Sequence, residues 1–244
     1  MGQTLSLKNT GRKDYHYEEA VKTLRTNIQF CGNNLKTIMF TSSLPSEGKS
    51  DTTFAVAASF GSIGKKVLLI DGDIRKSVIV KRHEIQGNPC GLSQYLSGQK
   101  TAEEICYGTD VENLDIILAG PYSPNPSELL EDPLFKELLD RARLKYDYII
   151  IDTPPMANLI DGAIIASLCD GAVIVINSGT ISYHLVQKVK SQLEKSGCRI
   201  LGAVLNRVGG GYEHSYYEKY YGRRGGKYYG KYGRHYGRYE EGKA

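Results

Sequence analysis

Apolar residues follow two alternating patterns along this chain. Near-continuous apolar runs fill residues 37–41, 66–70, 114–118, 148–151, 172–176 and 200–205. Each has the length of one strand, and the lack of alternation predicts strands covered on both faces. Between the runs, residues 50–63, 133–144, 160–168 and 183–196 carry helical spacing. A further amphipathic helix is predicted over 15–30, with Ala20, Val21, Leu24 and Ile28 on one face. Strand and helix in regular succession imply an α/β fold: a doubly wound, mainly parallel sheet with helices on both faces and right-handed crossovers. A chain of 244 residues is long enough to bury one such core. Residues 1–208 show no internal repeat.

The pattern stops at Gly209-Gly210-Gly211. Residues 209–244 hold ten of the 18 tyrosines and ten of the 27 glycines, with almost no aliphatic side chains. They also hold eight Lys/Arg against four Glu, the whole +4 excess of the chain, while residues 1–208 balance at 23 of each sign. Such a segment buries too little apolar surface to offset its ordering entropy, so a disordered tail is expected. The five cysteines are odd in number and scattered, with no Cys-x-x-Cys pair. That argues against a disulfide framework or zinc site and fits a reducing cytoplasm. Residues 1–30 lack the apolar run of a signal peptide, and the longest runs elsewhere are too short to cross a bilayer. A soluble protein is expected.

Three stretches point to phosphate chemistry. Ser43-Leu44-Pro45-Ser46-Glu47-Gly48-Lys49-Ser50 follows a strand and opens a helix. It has the Gly-Lys-Ser core of a P-loop, with serine at the usual first glycine. Residues Pro45, Ser46, Glu47, Gly48, Lys49, Ser50 and Asp51 would line a nucleotide's phosphates, with backbone N–H groups cradling the β- and γ-phosphates. Lys49 would neutralise charge there, and Ser50 would offer its hydroxyl to Mg²⁺. The second stretch is an apolar strand ending in Asp71-Gly72-Asp73, with Asp71 22 residues after Lys49. Two carboxylates at that edge can divide labour, one organising Mg²⁺ and the other receiving a proton. Taken alone, Asp-Gly is equally a strand-end turn. The third is Tyr148-Ile149-Ile150-Ile151-Asp152, a buried strand delivering one aspartate in the Walker B manner. Each match is weak by itself, and the three in this order are hard to obtain by chance.

With a tyrosine cluster at the C-terminus, the series Lys49, Asp71-Gly72-Asp73 and Asp152 resembles the bacterial tyrosine kinases. It is most similar to their stand-alone cytoplasmic members from capsule and exopolysaccharide operons. The resemblance runs from Tyr15 into the tail. It includes Glu19-x-x-Lys22-x-x-Arg25, where the family has Glu-x-x-Arg-x-x-Arg, and Ser123-Pro124-Asn125-Pro126-Ser127-Glu128-Leu129-Leu130. The family's Walker A, A′ and B elements map onto 43–50, 68–73 and 149–152. The resemblance implies a P-loop tyrosine kinase domain over 1–208 that takes ATP and Mg²⁺. Asp71 would be the base for the tyrosine hydroxyl, Asp73 and Asp152 would order the metal with Ser50, and Arg75 would assist with transition-state charge. Asn206 and Arg207 either contact adenine or form a plain loop.

The phosphoacceptors implied are Tyr212, Tyr216, Tyr217, Tyr220, Tyr221, Tyr228, Tyr229, Tyr232, Tyr236 and Tyr239, reached between subunits. Glu19, Lys22 and Arg25 would hold a closed homo-oligomeric ring, an octamer in the family. The plain alternative is a solvated helix face with a local ion pair. A membrane-embedded chain-length adaptor, a cognate tyrosine phosphatase and a location at the inner face of the plasma membrane are implied as well. Nucleic acid is not expected as a partner. Three positions depart from the family: Ser46 stands for Gly, Asp51 for Thr and Lys22 for Arg. Lysine loses bidentate geometry at the contact, and Asp51 either opposes the phosphates or favours the helix dipole.

Two rivals remain at this stage. Partition ATPases of similar fold carry a second lysine five positions before Lys49, where this chain has Leu44. A basic, aromatic tail could also serve a nucleic-acid or polymer binder, although its +4 excess is modest.

Overall fold

The computed structural model describes residues 4–8 and 15–208. In chain order these form β1 (Thr4–Leu5), α1 (Tyr15–Phe30), β2 (Thr37–Ser42), α2 (Lys49–Gly61), β3 (Val67–Asp71), α3 (Ile79–Arg82), α4 (Leu92–Leu96) and α5 (Ala102–Ile105). There follow β4 (Cys106–Thr109), β5 (Leu114–Ile117), α6 (Pro126–Glu131), α7 (Pro133–Lys145), β6 (Tyr148–Asp152), α8 (Asp161–Ala166), β7 (Gly171–Asn177), α9 (Tyr183–Lys195) and β8 (Ile200–Asn206). Every long element lies where the apolar pattern puts it, within about two residues. The unread elements β1, β4 and α3 to α6 are too short to develop a period.

The sheet runs β1-β4-β5-β3-β6-β2-β7-β8. Neighbours are parallel except the β4–β5 pair, so the expected mainly parallel, doubly wound architecture holds with one antiparallel link. Alternate residues of each central strand enter opposite cores, as the period of two requires. Met39, Leu68, Ile70, Ile149 and Ile151 face α4 and α6 to α9, while Ile38, Phe40, Val67, Leu69 and Ile150 face α1, α2 and α3. That explains why these strands read as unbroken apolar runs.

On α1 the core-facing stripe is Val21 and Ile28, buried, with Tyr17 and Leu24 half-buried beside them. Ala20 is exposed, contrary to the sequence expectation. A helix turn of 3.6 residues brings Tyr17 onto the line through Val21 and Leu24, and the larger ring supplies the contact a methyl cannot. The ten expected acceptor tyrosines and the expected disordered tail lie outside the described residues. No described helix is long and apolar enough to cross a membrane.

Candidate active site

Strand register assembles the site. Asp152 at the end of β6 pairs with Phe40 of β2 on one side and with Asp71 of β3 on the other. Two carboxylates thus stand side by side at one sheet edge, next to the loop that leaves β2. In that loop Ser46 and Gly48 take left-handed backbone, with φ 68° and 85°. Alternation of hand turns successive N–H groups into one concavity, and α2 then begins with no side-chain cap. An anion fits such uncapped donors. At Gly48 a Cβ would lie 2.0 Å from Asn206 Nδ2, so glycine is required there twice over.

The loop is strapped from below. Glu47 is buried, and its carboxylate accepts the Leu44 N–H at 2.6 Å and the Asn177 N–H at 2.9 Å. Asn206 Nδ2 donates to the Glu47 carbonyl at 2.8 Å. This bond sets Asn206 against the phosphate loop as support, a role apart from the adenine contact or plain loop read from the sequence. Glu47 therefore serves the loop through its side chain as a strut. The signal that could have found it is a carboxylate within a phosphate loop, a charge expected to turn away from the anion.

Lys49 is only 7% exposed. Its ammonium lies 2.5 Å from Asp152 Oδ1 and 3.3 Å from Ser50 Oγ. Thr53 Oγ1 also donates to Asp152, at 3.2 Å. Asp71 is fully buried; it accepts the Asp73 N–H at 3.2 Å and a short bond from the Ser77 hydroxyl. Burial, with the Asp152 charge second, pushes the Asp71 carboxyl up to about 7. Burial raises Asp73 too, against a bond from the Lys76 N–H at 3.0 Å.

Arg75 is held at its Nε and Nη2 by Asp161, at 2.5 and 3.0 Å, and Nη2 also donates to Ser127 Oγ at 3.0 Å. Ser127 in turn donates to Asp161 at 2.7 Å. Asp161 of α8 and Ser127 of α6 thus occupy much of the Arg75 fork. Ser127 belongs to the segment 123–130 singled out in the sequence, whereas Asp161 and Ser77 had no signal there.

A pocket of about 340 Å³ runs along Ser43 to Ser50 and ends on Asp73, Arg75 and Lys76. Those last three residues also line a second, adjoining cavity of about 590 Å³. Asp71 and Asp152 line neither and sit behind Lys49 and Ser77. The residues fit a Mg²⁺ ion bound with phosphates. Among the described residues no cluster of three His, Cys, Asp or Glu forms a cage, and Mg²⁺ normally takes one or two carboxylates plus phosphate oxygens. The Lys49 ammonium, between Ser50 Oγ and Asp152 Oδ1, already marks the place as one that accepts positive charge.

Asp51 pairs at 2.5 Å with Arg82 of α3, a residue that also lines the pocket along the P-loop. On α1, Lys22 pairs with Glu19 at 2.7 Å, while Arg25 donates to Ser59 O and Oγ on α2 at 2.8 and 2.9 Å. Glu19 and Lys22 thus form a local ion pair, and Arg25 clasps α1 to α2. Arg207 takes left-handed backbone, with φ 57°.

A family model for an AAA domain matches residues 35–198. Tyrosine-protein kinase CpsD of Streptococcus agalactiae is 41% identical over 191 residues, which cover 78% of this chain and 83% of that protein. The kinase domain of Escherichia coli tyrosine kinase ETK superposes with a TM-score of 0.74 at 31% identity, covering 79% of this chain and 77% of that one. The septum site-determining protein MinD of Pyrococcus horikoshii, solved with Mg-ADP, gives a TM-score of 0.60 at 27% identity, covering 71% of each chain. Joined to the P-loop and its paired strand-end aspartates, these likenesses show that the chain belongs to the bacterial tyrosine-protein kinases, built on a P-loop domain that binds ATP.

Proposed function

We propose that this protein-tyrosine kinase autophosphorylates its C-terminal tyrosine cluster between subunits and thereby regulates capsular or exopolysaccharide synthesis and export. The observation that carries the reading is Asp71: a sealed strand-end carboxyl, held near neutrality, one strand from Asp152 and beside the P-loop lysine. A base poised near working pH is suited to a phenol whose ordinary pKa is about 10.

In this reading the N–H groups of Ser46 to Asp51 cradle the β- and γ-phosphates of ATP, and Lys49 leaves Asp152 to neutralise them. The phenolic oxygen bonds to the γ-phosphorus as the bond to the β–γ bridging oxygen breaks. ADP leaves with that electron pair, and the phenolic proton ends on Asp71. Ser50, Asp73 and Asp152 would hold Mg²⁺, which when bound supplies charge neutralisation for the phosphates. Arg75, fixed by Asp161, lends positive charge at the wall of the ATP pocket.

The family resemblance supplies the partners: a closed ring of identical subunits through Glu19, Lys22 and Arg25, a membrane-embedded chain-length adaptor and a cognate phosphatase. The same resemblance supports a location in the cytoplasm, at the inner face of the plasma membrane. The partition-ATPase alternative gains nothing from position 44, where the Leu44 N–H serves the Glu47 strut. Lys49→Met and Asp71→Asn, incubated with Mg-ATP and blotted for phosphotyrosine, test the site. Both should be silent while folded, and strong labelling of either variant refutes the role given to that residue.

A further inference from the structure

Asp51 brings a negative charge to a loop built for anions. It is the third residue of α2, directly after Ser50, in a helix that begins with no side-chain cap. The positive end of that helix favours the carboxylate while the site is empty, and the phosphates once a nucleotide arrives. Two anions then share one helix end and repel each other, so the sequence needs a counter-charge.

Arg82 supplies it. Its Nη1 donates to Asp51 Oδ1 at 2.5 Å, joining α3 to α2 across 31 positions of sequence. Of the two, Arg82 lines the pocket of about 340 Å³ along the P-loop and Asp51 does not, so the guanidinium is the member that a bound nucleotide meets. An ordinary exposed ion pair contributes little, because two long side chains must be ordered in water. This one is mounted on a braced element. The next residue, His83, is buried, and its ring centroid lies 4.2 Å from that of Phe54, three residues beyond Asp51 on the same edge of α2. His83 is also tied to the N-terminal segment: the Lys8 N–H donates to its carbonyl at 3.0 Å, and its Nδ1 lies 3.0 Å from the Lys8 carbonyl oxygen. Lys8 and Phe54 together fix the end of α3 beside the first turns of α2, and Arg82 is carried to the pocket wall by that anchorage.

We propose that Arg82 is a nucleotide-affinity determinant of this kinase: it neutralises the Asp51 carboxylate and sets its own positive charge toward the phosphates of ATP, so that a phosphate loop carrying an aspartate still binds its anion. The proposal rests on the ATP-binding part of the reading above. It adds to that site a residue of α3, outside the loop and the strand-end aspartates, whose work is defined by its partner at position 51.

The test is a double-mutant cycle on the full-length chain. Binding of the β,γ-imido analogue of ATP with Mg²⁺ is measured by calorimetry for the wild type, Arg82→Gln, Arg82→Lys, Asp51→Thr and the Asp51→Thr/Arg82→Gln double variant, at low and at high salt. Arg82→Gln should weaken binding about tenfold at low salt, the scale on which contacting charges couple, and the loss should shrink as salt is raised. Arg82→Lys, which keeps the charge, should retain most of the affinity. Asp51→Thr should bind at least as tightly as the wild type, and in that background Arg82→Gln should cost no more than about threefold. Melting without nucleotide should move little in any of them, since the pair is partly open to solvent. Wild-type affinity in Arg82→Gln overturns the proposal. An equal loss in both backgrounds overturns the pairing with Asp51, and a loss that Arg82→Lys shares in full, or that salt leaves unchanged, shows that charge is not what Arg82 supplies. A wild-type chain that binds no analogue removes the ATP site and this proposal with it, whereas one that binds the analogue yet labels no tyrosine from Mg-ATP refutes the transfer reading alone.

Discussion

Replacing Asp71 with Asn should make the protein more stable as it makes the enzyme inactive, and the pH at which this happens is specified. Asp71 is sealed beside Asp152, and its carboxyl is pushed from the ordinary 3.8 to about 7. Below about pH 4, folded and unfolded chains both hold the proton, and the site contributes no penalty. As the pH rises from there, the unfolded chain releases its proton while the folded one keeps it. Stability then drains at about 1.4 kcal/mol per pH unit. The loss ends near pH 7, where the folded carboxyl ionises too. Between pH 5 and 7 the wild type should therefore lose about 2–3 kcal/mol that the asparagine variant does not. Asparagine also keeps the local bonds: its oxygen can accept the Asp73 N–H, and its amide can donate to Ser77 Oγ. Urea unfolding of both proteins, without nucleotide, at pH 5, 6, 7 and 8 gives the difference directly. Titrating groups remote from the site are common to the pair and cancel. A difference that does not grow with pH, or an asparagine variant less stable than wild type at pH 8, would refute the reasoning.

Three further outcomes follow from the loop and the tail. Ser46 holds φ 68° without being glycine, at a cost of about 1–2 kcal/mol, partly offset by glycine's greater unfolded entropy; Ser46→Gly should gain up to about 1 kcal/mol in thermal unfolding and bind ATP at least as tightly by calorimetry. Glu47→Gln turns an amide donor toward one of the two N–H groups the carboxylate satisfies, so it should lose about 1–3 kcal/mol of stability and weaken ATP binding, and unchanged values for both would remove the strut. Intact-mass spectra after incubation with Mg-ATP should show several phosphoryl additions within residues 212–239, because the ten tyrosines there share similar Gly- and Lys/Arg-rich sequence contexts; a single step on one fixed tyrosine contradicts this.

The sheet was legible because its strands are buried on both faces, so 67–71 and 148–152 announce themselves as apolar runs ending in aspartate. The phosphate loop was legible for a similar reason, since glycine is forced where the backbone turns left-handed under Asn206. What stayed hidden depends on contacts between residues far apart in sequence. Nothing near Asp161 says that it grips Arg75 across 86 positions, and nothing near Glu47 says that it meets Asn177 across 130. Ser77 lies only six residues from Asp71, yet its bond to that carboxylate exists only because the chain folds back at Asp73. Ala20 was misplaced because helical spacing alone does not say which edge of a stripe carries the large side chain.

The most direct test of the central claim is a mixing experiment. A Lys49→Met chain with all its tyrosines is combined with a chain of intact site whose ten tail tyrosines are changed to phenylalanine, and Mg-ATP is added. The account predicts phosphotyrosine on the Lys49→Met chain in the mixture and none when either chain is incubated alone. No label in the mixture, from an active-site partner shown to bind ATP, would contradict transfer between subunits at this site, and label on Lys49→Met alone would contradict the site itself.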